Sequence, residues 1–259
     1  MFYIGVDIAK NNHEASIIDS NGKLVSESFS FSNSIRGLEK FQKFISSFSI
    51  DSNNCIIGME ATGHYWLSLY SFLIDLDFSC VVINPIQSDA FRKMYIRQTK
   101  NDSVDSFVIA QISFLEDQIF EIEDEISSMI NSLCPVITSI TGIGDVLGAA
   151  IFSEIGDISR FERANQLVAY AGLDVAVKQS GNFNATDTKI SKRGSPYLRR
   201  AIWLAACVAA FKDPALSVYY QKLRQRGKAH GTAIGAVARK LTNIIFAVLR
   251  DNKVYIPNI

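Results

Sequence analysis

The sequence predicts an α/β domain on a mixed sheet, a short coiled-coil helix, and then a mainly α-helical half. Three observations predict it. Three consecutive strand patterns open the chain, a helix–strand–helix–strand run follows, and beyond Pro135 the apolar stretches have helical spacing around one polar hairpin-like segment.

Residues 2–8 read as a buried strand and residues 13–19 as a second. Ser20-Asn21-Gly22-Lys23 supplies a turn, and residues 24–31 return as a third strand. Ile35, Leu38, Phe41, Phe44 and Ile45 carry helical spacing over residues 34–48. A short apolar strand spans 55–60, a helix 65–76, and a strand 80–84 that stops before Pro85. A helix is predicted over 88–96, and another begins near Asp102.

Ile112, Leu115, Ile119, Ile122, Ile126, Met129 and Leu133 follow one another in steps of three and four. That is the seam of a coiled coil about three heptads long. Acidic residues fill the positions between, and the regular spacing favours helix pairing, within or between chains. After Pro135, Ile140-Thr141-Gly142-Ile143-Gly144-Asp145 is a Gly-rich turn opening a helix over 146–155. Its free backbone N–H groups suit a phosphate, or it is a tight helix–helix connection. Helices are predicted over 161–172, 195–211 (Pro196 in the first turn), 215–225 and 232–249, with the hairpin-like stretch over 174–188.

The chain of 259 residues is 48% hydrophobic with no net charge, which excludes a disordered chain. No uninterrupted apolar run reaches the roughly 18 residues of a membrane span. The N-terminus runs straight into a strand pattern with no basic segment before it, so no signal peptide is expected. Cys55, Cys80, Cys134 and Cys207 lie far apart, without the spacing of a zinc site or a disulfide framework. A reduced, cytoplasmic protein is expected, with no membrane partner.

Zero net charge conceals a division. Residues 1–133 hold 9 basic and 18 acidic residues, and residues 134–259 hold 17 and 8. Between Lys178 and Lys240 there are 13 basic residues against Asp187 and Asp213 alone. A nucleic-acid footprint beside clustered carboxylates fits that pattern, as do two solvated surfaces that pair with each other.

Asp7 ends the first strand among apolar neighbours, where a carboxylate is costly unless it has a task. Glu60 ends another strand, and Asp102 and Asp105 lie three apart on one face of a helix start. Carboxylates so placed can hold two divalent ions that stabilise the attacking and leaving oxygens of a phosphodiester. Asp102 and Asp105 fit equally well as first-turn acids that complement the helix dipole. Ser195 before Pro196 has the pattern of an N-cap, and Lys192, Arg193 and Arg199 put positive charge around it.

Several stretches together resemble a known family. Ile4-Gly5-Val6-Asp7-Ile8-Ala9-Lys10, Met59-Glu60-Ala61-Thr62-Gly63-His64-Tyr65 and Lys100-Asn101-Asp102-Ser103-Val104-Asp105-Ser106 resemble, in order and spacing, the N-terminal domain of the insertion-sequence-110 family. These are the DEDD transposases, related to the pilin-gene invertase. Ile140-Thr141-Gly142-Ile143-Gly144, Ala169-Tyr170-Ala171-Gly172-Leu173, Ser180-Gly181 and the run from Lys189 to Arg199 resemble its C-terminal transposase domain. The resemblance covers nearly the whole chain.

It implies an RNase H-like (RuvC-like) catalytic domain over 1–111 and a shortened coiled-coil helix over 112–133. A C-terminal transposase domain over 134–259 would carry a helix-hairpin-helix-like turn and a nucleophilic serine. It implies Asp7, Glu60, Asp102 and Asp105 as a tetrad for Mg²⁺ (or Mn²⁺), with two ions, and Ser195 as the residue that forms a covalent link to DNA. Lys192, Arg193, Arg199, Arg200, Lys222, Arg224, Arg226 and Lys228 are the expected nucleic-acid contacts. The implied partners are DNA, a non-coding guide (bridge) RNA and further copies of the chain, as a dimer or tetramer, in the bacterial cytoplasm at the nucleoid.

The family's helical region between the domains is usually much longer than here. Three other readings compete: a RuvC-like nuclease that uses water, a shortened nucleic-acid-binding derivative without activity, and an actin-like kinase suggested by Ile4-Gly5-Val6-Asp7. The last lacks the further Gly-rich motifs that class needs.

Overall fold

A computed structural model describes residues 1–61, 63–93, 102–175, 179–180, 183–184 and 190–257. It divides into two compact units, Met1–Glu121 and Ile122–Ile259.

The first unit holds β1 (Phe2–Asp7), β2 (Asn12–Asp19), β3 (Leu24–Ser32), α1 (Ile35–Ser46), β4 (Cys55–Glu60), α2 (Leu67–Ile74), β5 (Ser79–Ile83) and α3 (Pro85–Arg92). The strands form one mixed sheet in the order β3-β2-β1-β4-β5. β1 and β3 each run antiparallel to β2, while β4 and β5 run parallel to β1. Alternation along the strands separates two faces. Ile4, Val6, Ile57 and Met59 point into a core closed by Leu38, Phe41 and Ile45 of α1 and Leu69 and Leu73 of α2. Tyr3 meets Ala110 on the other face, under α4 (Asp102–Leu133).

Two glycines set the depth of that second layer. Gly5 and Gly58 stand opposite each other on β1 and β4. A Cβ on Gly5 would lie 2.0 Å from the Ser106 carbonyl oxygen, and one on Gly58 would lie 2.0 Å from Ser113 Oγ. The helix therefore rests its backbone on the sheet. Ser16 and Ser106 share a hydrogen bond of 2.7 Å, and the Tyr3 hydroxyl donates to Asp117 at 2.6 Å. Burial beside Asp117 holds the Tyr3 phenol far above its ordinary range.

The second unit contains the end of α4 and then α5 (Asp145–Ile155), α6 (Ala164–Tyr170), a small hairpin of β6 (Gln179–Ser180) and β7 (Phe183–Asn184), α7 (Pro196–Lys212), α8 (Pro214–Gln225) and α9 (His230–Asp251). Its core centres on the alanine-rich face of α7 (Ala201, Ala205, Ala206, Ala209, Ala210) against Ile234, Val237, Leu241 and Ile245 of α9. Alanines at these positions let the helices approach closely.

Elsewhere the structure refines the expectations. Helix α3 starts at Pro85, not at residue 88, because Asn84 caps it and proline is tolerated at the first helical position. The stretch predicted as helix over residues 94–96 lies outside the described residues. The helix predicted near Asp102 and the heptad seam are one continuous helix of 32 residues. The chain divides inside that helix, because its first turns pack on the sheet while Ile130 enters the second core. Helix α9 is long and apolar enough, by length and composition, to cross a membrane. Polar residues interrupt α9, so it holds no uninterrupted apolar run, and its apolar face is the centre of the second unit's core.

Candidate functional sites

Asp7 and Glu60 are the last residues of β1 and β4, and the strand register continued by one residue sets them side by side. Both fall on the face of the sheet that α4 covers, since each is two residues beyond its glycine. Asp105 lies in the first turns of α4, one residue before the Ser106 that touches Gly5.

Glu60 and Asp105 are 8% and 5% exposed, burial that a carboxylate tolerates only with partners. Both share Arg92, the last residue of α3. Its Nη2 donates to Glu60 Oε2 at 3.0 Å, and its Nε lies 2.8 Å from Asp105 Oδ1, an ion pair without hydrogen-bond alignment. Ser88 Oγ adds a hydrogen bond to Glu60 Oε2 at 2.8 Å. A strand-end acid and a helix acid thus meet around one positive charge. The Asp102 side chain lies outside the described residues. Among those described, no three His, Cys, Asp or Glu side chains gather as a metal-binding group.

Ser195 is in the second unit, as the N-cap of α7. Its Oγ accepts from the Leu198 N–H at 3.1 Å and donates to Glu154 Oε2 at 2.6 Å. Glu154 stands in the last turn of α5. Backbone contacts brace this corner: Ser195 N–H donates to the Tyr170 carbonyl at 2.8 Å, and Gly194 packs so tightly there that a Cβ would lie 1.8 Å from the same oxygen. Arg199 Nη1 donates to the Ala171 carbonyl at 3.2 Å.

The basic residues divide into groups. Lys192, Arg199, Arg200 and Trp203 line a groove of about 400 Å³ beside Pro196. A second groove, of about 610 Å³, takes Lys192, Trp203, Tyr219, Lys228 and Arg239. Cations beside indole and phenol rings suit phosphates and unstacked bases. Arg193 is exposed next to Ser195, while Lys222, Arg224 and Arg226 lie exposed on α8 and its end, and Arg224 Nη1 donates to the Lys228 carbonyl at 2.6 Å.

Sequence reasoning passed over Arg92, Glu154, Trp203 and Arg239. Only Arg239, beside Lys240, carried a local signal, as part of the basic run. The Gly142 turn resolves toward a helix connection: its Cβ would meet the Ala205 carbonyl at 2.5 Å, and Asp145 already places an acid in the first turn of α5. The four cysteines are free, and burial pushes the Cys55 thiol up to about 12 and Cys80 to about 11.

Two family models fix the class of enzyme. The DEDD transposase model of IS110 matches residues 4–135, and the model described as Transposase IS116/IS110/IS902 family matches residues 134–221. The chain belongs to this transposase family and is a DNA transposase or recombinase.

It is 25% identical to the pilin gene-inverting protein of Moraxella bovis, over 97% of this chain and 96% of that protein. That alignment runs over 313 residues, more than the 259 of this chain, so the relative has residues without a counterpart here. The insertion element IS110 43.6 kDa protein of Streptomyces coelicolor is 32% identical over 60% of this chain and 38% of its own length. The insertion element IS900 42 kDa protein of Mycobacterium paratuberculosis is 37% identical over 47% of this chain and 31% of its own. Among solved structures, the fowlpox virus Holliday junction resolvase is 15% identical with a TM-score of 0.33, over 45% of this chain and 99% of that one.

Proposed function

We propose that the chain is a metal-dependent transposase that moves an insertion sequence through a phosphoserine link between Ser195 and DNA, guided by a non-coding bridge RNA. The observation that carries the reading is the convergence of two buried carboxylates, Glu60 and Asp105, on one cation beside the strand end of Asp7. The guanidinium stands in for the positive charge that this donor set of hard oxygens favours. Asp7, Glu60, Asp102 and Asp105 would hold Mg²⁺ or Mn²⁺, two ions, whose chemistry is to stabilise charge on the attacking and leaving oxygens. The strand order β3-β2-β1-β4-β5 supports an RNase H-like, RuvC-like fold for this domain.

In this reading residues 1–111 form the catalytic domain, 112–133 the linking coiled-coil helix and 134–259 the transposase domain. Ser195 supplies the nucleophile. Arg193 and Arg199 offset charge on the phosphate, and the grooves at Trp203 with the exposed cations of α8 bind DNA and guide RNA. The enzyme acts at the nucleoid in the bacterial cytoplasm.

The test incubates end-labelled element DNA, the RNA transcribed from the element and Mg²⁺ with the full chain. A denaturation-resistant protein–DNA adduct is expected, with phosphate mapped to Ser195, absent in S195A and absent in D7N or chelator while DNA binding persists. Cleavage without an adduct would instead assign a nuclease that uses water. Binding without either would assign an inactive derivative.

Assembly is a second expectation. Leu115, Ile119, Ile122, Met129 and Leu133 of the heptad seam are exposed, whereas Ile112 is buried. Exposed apolar side chains at coiled-coil spacing fit pairing with another copy. A variant carrying Ile119→Asp and Ile122→Asp should be monomeric by light scattering. An unchanged mass would remove the seam from the interface.

A further inference from the structure

We propose that Glu154 is the general base for Ser195. The inference rests on the serine reading above and deepens it. A serine hydroxyl has one proton and two lone pairs. Here the proton points to Glu154 Oε2 at 2.6 Å, and one lone pair accepts the Leu198 N–H at 3.1 Å. The second lone pair is left for a phosphorus atom.

An N-cap serine needs only the Leu198 contact to do its structural work, so the carboxylate is an additional partner. Among the described residues no lysine or arginine lies within ion-pair distance of Glu154. The residue is half-buried, and the Tyr170 hydroxyl donates to its carbonyl at 3.3 Å, while the Tyr170 carbonyl holds Ser195 N–H at 2.8 Å. One residue thus ties base and nucleophile together from both sides. His230, the one histidine of the second unit, pairs with the Tyr220 hydroxyl instead.

In the first step Oγ forms a bond to phosphorus, its proton passes to Glu154, and the bond from phosphorus to the leaving deoxyribose oxygen breaks. That oxygen takes a proton from solvent. In the second step a strand hydroxyl attacks the phosphoserine and loses its proton to solvent, Oγ leaves, and Glu154 returns the proton to it. A positioned base of this kind contributes roughly a hundredfold to ten-thousandfold.

The experiment treats the full chain, without DNA, with diisopropyl fluorophosphate. The Oγ–P bond forms, the P–F bond breaks, fluoride leaves and Glu154 takes the proton. Ser195 should be labelled in the wild type. In E154Q labelling should fall about a hundredfold or more, and E154D should recover part of it. No label at Ser195, or equal labelling in E154Q, overturns the proposal. Wild-type labelling in D₂O decides the matter even if a variant fails to fold: proton transfer to a base in the transition state should slow it, and an unchanged rate overturns the proposal. The DNA-adduct assay separates the two readings: Ser195 labelled without any adduct removes the phosphoserine reading alone, and an adduct formed equally fast in E154Q removes Glu154 alone.

Discussion

Gly5→Ala is expected to destabilise the first unit by about 3 kcal/mol or more, at or above the upper end of overpacking penalties. The added Cβ would sit 2.0 Å from the Ser106 carbonyl oxygen and 2.3 Å from the Ala110 nitrogen. Both are backbone atoms of α4, so no side chain can turn aside. Relief requires the helix to lift from the sheet, and Asp105, one residue from the contact, moves with it. Strand cleavage should therefore be lost along with stability. Trp66 and Trp203 are the only tryptophans, one in each unit. Denaturant unfolding followed by Trp66 fluorescence in a Trp203→Phe background reads the first unit alone. A midpoint that does not move would mean that α4 does not rest on β1.

Arg92→Ala is expected to cost on the order of 3 kcal/mol, the lower end for removing one partner of a buried ion pair. The lower end applies because the guanidinium side chain is 26% exposed, against 10% for Glu60 and 7% for Asp105. Two buried carboxylates then share a site without their common cation. Mg²⁺ should raise the Tm of this variant more steeply than that of the wild type, where the ion must compete with the guanidinium. A Tm insensitive to Mg²⁺ in Arg92→Ala would argue against a cation site at these acids.

Much of the fold was legible because the local signals were strong. The strand over Cys55–Glu60 needed only its apolar run, and the start of α7 only Ser195 followed by proline. The start of α3 lies earlier than the sequence predicts because proline can begin a helix as well as end a strand, and Asn84 before Pro85 makes it a beginning. The heptad spacing showed which residues of α4 share a face. It did not show that Ile112 is buried while Ile119 and Ile122 are open, since periodicity marks a face and not what covers it. The pairing of Gly5 with Gly58 depends on strand register, which neither sequence segment encodes alone. Glu154 is 41 residues from Ser195 and on another helix, so only the packing of α5 near the start of α7 brings them together. Arg92 met its acids for the same reason, from 32 residues beyond Glu60.

If Ser195 is the nucleophile proposed above, its capping role bears on the reversibility of strand transfer. An Oγ carrying a DNA strand would be a poorer acceptor for the Leu198 N–H, and a lost cap costs about 1 kcal/mol. The attached phosphate would bring anionic oxygens to the positive end of α7, where a negative charge returns roughly 0.3–1 kcal/mol. Loaded and unloaded forms of this helix end would then be of similar stability. One phosphodiester would be exchanged for another, and the protein beneath it would neither gain nor lose much. Such a junction could be crossed in either direction, and the DNA that leaves would be decided by which hydroxyl arrives.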